Sequence, residues 1–199
     1  MQVFFIISIG RSGTTAYARH FGLELEKNGW RWSIENIKKR IETAIKEKKQ
    51  YYGEISHFHI NRIPELQKAF PKAIFIHNVR NGRDVVSDFN CLLRLVEPQV
   101  YLGLDKIIPD WEKKIKFEKL CWLWAYWNKE ADKYVKTLTR LEDNRYFLPM
   151  IHTCSEKQTN MKQNEPWTKE EHKIFDNICG DLMKKYGYKK EIEYNSSLL

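Results

Sequence analysis

Cysteine, proline and glycine are all scarce in this chain of 199 residues, which has 4 Cys, 6 Pro and 9 Gly. So few prolines and glycines exclude a collagen-like or linker-dominated protein. The cysteines lie far apart and form no CxxC pair, so the sequence has neither zinc-ligand spacing nor the pattern of a disulfide framework; they are Cys91, Cys121, Cys154 and Cys179. This usage predicts buried thiols in a reducing compartment, the cytoplasm.

Long apolar runs are lacking too. The longest, from Val3 to Ile9, is far shorter than the roughly 18 residues needed to span a bilayer. No basic leader precedes it, and it runs directly into Gly10, so it is typical of a buried strand rather than a signal peptide. The sequence therefore disfavours a membrane span, secretion and disorder.

Positive charge is in surplus. Lys and Arg number 34 against 26 Asp and Glu, a formal net charge of +8. This surplus favours an anionic ligand, which leaves nucleotide, nucleic acid, acidic glycan and lipid headgroup open. The simpler interpretation is a solvated basic surface, because many lysines are interleaved with glutamates.

Strand, turn and helix patterns alternate along the chain. The predicted strands are 3–9, 51–56 and 73–79. The predicted helices are 15–27, 33–48, 63–69, 82–95 and 117–138, and a last helix begins at the Thr168–Glu171 capping box and ends before Gly187. Residues 99–114 are predicted to be irregular. Such alternation predicts an α/β fold, a parallel β-sheet with helices on both faces. No linker or repeat interrupts it, so residues 1–199 are predicted to form a single domain.

The first predicted strand is followed by a loop suited to an anion. Small residues let the backbone curve around a phosphate, and the helix start supplies N–H donors; the loop consists of Gly10, Arg11, Ser12, Gly13, Thr14 and Thr15. It is not a Walker A loop, because Thr14 stands where that motif requires Lys. The alternative is a tight strand–helix turn without a ligand.

A second candidate follows the strand that ends at Val79. Arg80 and Arg83 can offer forked donors to a phosphate, and Asp84 can cap the helix or orient an arginine. Ligands of open α/β sheets lie beyond the carboxyl ends of the strands. The alternative is a surface Arg–Asp pair. Two anion sites on neighbouring strand ends predict a nucleoside ligand with phosphate at both ends.

Together, GRSGTT and VRNGRDVVSDF resemble the sulfotransferase family, which uses 3′-phosphoadenylyl sulfate (PAPS) as co-substrate and releases adenosine 3′,5′-bisphosphate (PAP). The resemblance implies a P-loop nucleotide-kinase-like fold and no metal. It implies that the loop after the first strand, with Gly10 in place of the usual Pro, holds the 5′-phosphosulfate. Arg11 would stabilise the departing 5′-phosphate, and Arg80 would bind the 3′-phosphate.

One position in the second segment departs from the family pattern. The family places a Ser eight residues after Arg80, where this chain has Asp88 with Ser87 beside it. Either Ser87 takes over the phosphate contact or the contact is missing. Weaker resemblances cover Arg140–Asp143 and the carboxyl-terminal helix with its closing Gly187–Tyr188.

The acid–base residue is sought in YYGEISHFH, at the carboxyl end of the second long strand. Sulfuryl transfer needs a base for the acceptor hydroxyl. The family has members with a catalytic His, which aligns with His57, and members with a catalytic Glu, which aligns with Glu54. The Gly53–Glu54 pair favours Glu54, with His57 close behind, and Ile55 stands where both patterns have Lys.

These observations predict a cytoplasmic sulfotransferase that acts on a hydroxyl-bearing acceptor, which can be a glycan, a small alcohol or phenol, or a tyrosyl group. Nucleic acid is not expected as a partner, and the oligomeric state is left open. The alternatives are a P-loop kinase that uses ATP and Mg²⁺ on a small metabolite, and a non-catalytic basic module that binds anions.

Overall fold

The computed structural model describes residues 1–15, 18, 24–25, 33–91, 103–143 and 167–189. Their strands form one parallel sheet in the order β2-β3-β1-β4-β5. The strands are β1 (Gln2–Ser8), β2 (Glu24–Leu25), β3 (Tyr51–Ser56), β4 (Ile74–Val79) and β5 (Thr137–Arg140). The α/β class and the parallel sheet predicted from the sequence are confirmed.

The helices of the described residues lie between and after these strands. They are α1 (Ile34–Lys46), α2 (Ile63–Ala69), α3 (Gly82–Cys91), α4 (Leu104–Ile107), α5 (Lys116–Tyr134) and α6 (Lys169–Lys185), with 3₁₀ turns at His57–Arg62, Trp111–Lys113 and Leu141–Asp143. Two of them begin at the predicted caps. Ser33 accepts from the Asn36 N–H, and Thr168 and Glu171 form a reciprocal capping box.

The centre of the sheet is its most apolar part. Phe5 and Ile7 are fully buried and Ile6 is 3% exposed, so β1 is covered on both faces, as its unbroken apolar run predicted. On one side the main core continues into α5 and α6, where Trp124 and Phe175 are fully buried. Cys121 and Cys179 are buried free thiols in the same core. Among the described residues, no helix is long and apolar enough to cross a membrane.

Three element boundaries differ from the predictions. Strand β2 occupies Glu24–Leu25, inside the helix predicted over 15–27, because this segment pairs with β3. Helix α5 ends at Tyr134, and Thr137–Arg140 pairs with β4 instead of extending the helix to residue 138. The segment predicted to be irregular contains α4 and a 3₁₀ turn in its described part. Residues 16–17, 19–23, 26–27 and 92–95 of the predicted helices lie outside the described residues.

The strand order predicts a ligand crevice at one end of the sheet. After β1 the chain continues to β2 on one side, whereas after β4 it continues to β5 on the other side. Strands β1 and β4 are neighbours, so the sheet has a topological switch point between their carboxyl ends. In open α/β proteins this is where ligands bind. Both phosphate segments predicted from the sequence begin at these two strand ends.

Candidate functional site

The loop after β1 has two residues with left-handed backbone. Arg11 has φ +67° and Gly13 has φ +75°, both in the left-handed region. A Cβ at Gly13 would lie 2.8 Å from Leu141 Cδ1, so packing and backbone both require glycine there. Alternation with left-handed residues is the backbone pattern of nests that turn N–H groups toward an anion. Thr14 and Thr15 are partly buried and begin a helical turn.

Asn78 fixes this loop to the neighbouring strand. Its Nδ2 donates to the Ser12 carbonyl oxygen at 3.1 Å and to Ser8 Oγ at 3.2 Å, and its Oδ1 accepts from Thr139 at 3.3 Å. Sequence reasoning did not assign Asn78 a role. The available signal was an amide beside His77 in the second half of a strand that begins with three apolar residues, where a buried polar group requires partners.

Ser12 combines full burial with an unsatisfied hydroxyl. The residue is 0% exposed, and its Oγ has no hydrogen-bond partner among the described residues. A buried hydroxyl without a partner is costly, so native proteins rarely leave one unless something else binds it. The Ser12 hydroxyl therefore lies buried and, within the described part of the chain, unpartnered in the loop that the sequence predicts to hold an anion.

Arg80 joins the two predicted anion segments. Its Nη1 donates to the Arg11 carbonyl oxygen at 2.7 Å and to Asp88 Oδ2 at 2.6 Å. The Arg11 guanidinium lies 3.6 Å from the same Asp88 oxygen. We call Arg11, Arg80 and Asp88 the loop-arginine cluster. The structure therefore brings the predicted 5′ and 3′ segments into direct contact at the switch point.

The neighbouring Ser87 is also occupied by the protein. Its Oγ accepts a hydrogen bond of 3.0 Å from Trp167 Nε1, just before α6. Gly10, the other end of the first segment, lies against Phe89, since a Cβ there would be 3.3 Å from Phe89 Cζ. Ser87 and Asp88 thus both have protein partners, and the Arg80 contact is made by Asp88.

Arg83 belongs to a different part of the molecule. Its Nη2 donates to Asp176 at 2.8 Å, its Nη1 lies 3.2 Å from His172 Nδ1, and the guanidinium stacks over Phe175 at 4.8 Å. All three partners are on α6. The Arg83 side chain therefore links α3 to α6, whereas the sequence placed it beside Arg80 on the ligand.

The two segments with the weaker resemblance to the family, Arg140–Asp143 and Gly187–Tyr188, contact each other. Arg140 Nη1 donates to the Gly187 carbonyl oxygen at 3.1 Å, and the Tyr188 hydroxyl donates to Glu142 Oε2 at 2.7 Å. Glu142 Oε1 accepts from the Asn81 N–H at 2.7 Å, which anchors the turn that opens α3. Burial and the neighbouring Glu142 carboxylate raise the pKa of Tyr188 far above its usual value. These residues position Arg80 through its chain neighbour.

Glu54 is a buried residue of β3. It is 2% exposed, its Oε1 accepts from the Tyr52 hydroxyl, and its Oε2 lies 3.0 Å from His59 Nε2. His59 is itself 1% exposed. We call Tyr52, Glu54 and His59 the strand-carboxylate cluster. Both Glu54 oxygens are thus engaged by protein groups, and the carboxylate has no access to solvent.

His57 follows β3 and is only partly buried. The register places Ser56 beside Ile7, so His57 lies at the same end of the sheet as the loop after β1. Its ring stacks on Trp127 at 5.5 Å with an interplanar angle of 15°. Burial, and secondarily the charge of His59, lower the pKa of His57 to about 4. The ring is therefore neutral at pH 7.

The comparisons with known proteins add no family. No model of a protein family matches the chain, and no curated protein is similar to it. Within the described segments, no group of three or more His, Cys, Asp or Glu side chains is arranged to hold a metal ion.

Proposed function

We propose that the protein is a PAPS-dependent sulfotransferase with a P-loop nucleotide-kinase-like domain over residues 1–199. The observation that supports this most is the 2.7 Å hydrogen bond from Arg80 to the Arg11 carbonyl oxygen. It joins the two segments that resemble the family at the topological switch point, where the strand order predicts a ligand. Neither segment alone would carry the proposal.

The donor would lie across this crevice. The 5′-phosphosulfate would bind the loop of residues 10–15, where the Ser12 hydroxyl needs a partner and Thr14 and Thr15 open a helical turn. Arg80 would bind the 3′-phosphate, since a guanidinium matches phosphate geometry. This chain's residues provide the charge for the reaction, and the proposal requires no metal ion.

His57 is the proposed base. It is neutral at pH 7 and lies at the ligand end of the sheet, whereas both oxygens of Glu54 are engaged by Tyr52 and His59. Glu54, the residue that the sequence favoured, is assigned to holding His59 in place. The function of Glu54 is then to stabilise the segment that carries His57.

The reaction is an in-line transfer. The acceptor hydroxyl gives its proton to a His57 ring nitrogen as its oxygen bonds to sulfur. The bond between sulfur and the 5′-phosphate oxygen breaks, and PAP leaves with an additional negative charge on that phosphate. Arg11 lies in the loop where this charge develops, and stabilisation of developing charge is a large term in enzymatic catalysis. The acceptor is a hydroxyl compound, with glycans, phenols and tyrosyl groups as the classes to test.

Calorimetric titration tests the proposal directly. We expect saturable PAP binding, weaker binding of 5′-AMP, and transfer of sulfate from PAPS to at least one acceptor of a panel of sugars, phenols and tyrosyl peptides. The Lys133→Ala variant is a matched control, because Lys133 pairs with Glu130 in the last turns of α5, which lead into the start of β5 and so lie at the opposite end of the sheet. Magnesium-dependent ATP turnover without PAP binding would identify a kinase instead. Salt-sensitive polyanion binding without nucleotide preference would identify a basic binding module.

A further inference from the structure

The loop-arginine cluster already contains an anion, and it belongs to the protein. Asp88 Oδ2 lies 2.6 Å from Arg80 Nη1 and 3.6 Å from Arg11 Nη2. Its side chain is 26% exposed, and those of Arg80 and Arg11 are 16% and 28% exposed. The same arginines that the proposed function assigns to phosphate are therefore paired with a carboxylate within reach of solvent.

The charge balance of the cluster follows from these contacts. Arg11 and Arg80 contribute two positive charges, and Asp88 removes one of them. Asp84 adds a second carboxylate 3.9 Å from Arg80 Nε, but its side chain is 53% exposed and more fully screened by solvent. A phosphate that arrives at Arg80 meets a negative charge at hydrogen-bond distance from the same guanidinium.

Asp88 also competes with a phosphate for the same hydrogen-bond donor, Arg80 Nη1. Arg80 Nη1 donates to the Arg11 carbonyl oxygen and to Asp88, so both directions of this nitrogen are used inside the protein. A phosphate that takes the Asp88 bond must displace the carboxylate or share Arg80 with it. The bond to the Arg11 carbonyl holds the loop and is independent of Asp88.

From these contacts we infer that Asp88 is a specificity-determining residue that acts as an internal competitor for phosphate at Arg80. It limits the affinity for ligands with a phosphate at this position and holds Arg80 in place while the crevice is empty. The inference rests on the proposed function for the identity of the ligand. It does not depend on that function for the competition itself, which any phosphate tests.

The experiment compares Asp88→Asn with the wild type. Asparagine keeps an oxygen that can accept from Arg80 and removes the charge. We expect PAP and pyrophosphate to bind Asp88→Asn at least about tenfold more tightly, because like charges placed against each other are strongly unfavourable at a binding surface. The matched control is Asp84→Asn, which removes the same charge at a more exposed place and is expected to change affinity less than about threefold.

A comparison of two ligands in both proteins separates the effect of removing the Asp88 charge from a general loosening of the site. The gain in affinity on going from 5′-AMP to PAP, which adds the 3′-phosphate, is expected to be larger in Asp88→Asn than in the wild type. Thermal unfolding shows whether the variant is folded, and Asp88→Ser serves as the second variant if it is not.

The outcomes are distinguishable. Equal or weaker binding of pyrophosphate and PAP by a folded Asp88 variant overturns the inference and leaves the proposed function standing if the wild type binds PAP. Tighter pyrophosphate binding by the variant with no PAP binding by either protein supports the competitor and contradicts the sulfotransferase. No binding of either probe by any variant overturns both.

Discussion

The loop-arginine cluster and the strand-carboxylate cluster both pair a carboxylate with cationic or proton-donating side chains, but they differ in access to solvent. Asp88 and its two arginines are 16–28% exposed, whereas Glu54 and His59 are 1–2% exposed. A buried cluster whose groups satisfy one another stabilises a fold, and a partly exposed cluster can exchange one partner for a ligand. Under the proposed function, the loop-arginine cluster therefore binds the ligand and the strand-carboxylate cluster supports the fold.

The largest expected effect on activity comes from removing the side chain of Arg11. Arg11→Ala should lower the rate of sulfate transfer about 10²–10³-fold, because loss of one group that stabilises developing charge has this size. Arg11→Gly should do the same and also relieve the positive φ of +67°. Steady-state kinetics on the two variants measures the loss. Equal activity of either variant and the wild type would contradict the role of Arg11.

The second prediction separates His57 from Glu54. His57→Gln should lower kcat about 10²-fold, the lower end of the usual contribution of a general base, with little change in thermal stability. Glu54→Gln should lower the free energy of unfolding by about 1–3 kcal/mol, because it disturbs a buried hydrogen-bonded group.

Activity per folded molecule in Glu54→Gln should stay within a few-fold of the wild type. Kinetics combined with denaturant unfolding checks both expectations. A catalytic loss confined to Glu54→Gln, with His57→Gln fully active, would reverse the proposed roles of His57 and Glu54.

The smallest effect is a pH dependence of stability. His57 has its pKa lowered to about 4 in the folded protein, whereas the unfolded chain binds this proton near pH 6.5. Between these values the unfolded state holds more protons, so the free energy of unfolding should fall as the pH is lowered from 6.5 to 4. His57→Gln should reduce this slope. Urea unfolding at several pH values measures it, and an unchanged slope would contradict the burial of His57.

A second titration in the fold has its own pH window. Burial raises the pKa of Asp132, but hydrogen bonds from His77, Lys185 and Tyr186 outweigh it and lower the pKa to about 2. Its contribution to stability is present above about pH 3.8 and is lost as the pH falls toward 2. Measurements above about pH 5, where Asp132 is ionised in both the folded and the unfolded state, are therefore free of its contribution.

Strands β1 and β4 could be predicted from the sequence because each contains a run of apolar residues. Strands β1 and β4 were found to within one or two residues, and β3 has the predicted bounds. Strand β5 could not be predicted: Thr137–Arg140 is short and partly exposed, and only its pairing with β4 makes it a strand. The pattern of neighbouring residues does not show that this segment pairs with β4.

The candidate site shows the same division. The sequence placed the 10–15 loop and Arg80 at neighbouring strand ends, and the structure brings them together. The sequence could not show which way each side chain points. Arg80 and Arg83 are three residues apart on one motif, yet Arg83 contacts Asp176 on α6. Likewise, only tertiary structure shows that His59 engages Glu54.

The most direct test is a crystal structure of the full chain grown with PAP. The account predicts density for one nucleotide across the switch point, with its 5′-phosphate against the loop of residues 10–15 and its 3′-phosphate beside Arg80. Density for PAP elsewhere on the molecule, or an empty crevice in crystals grown at saturating PAP, would contradict it.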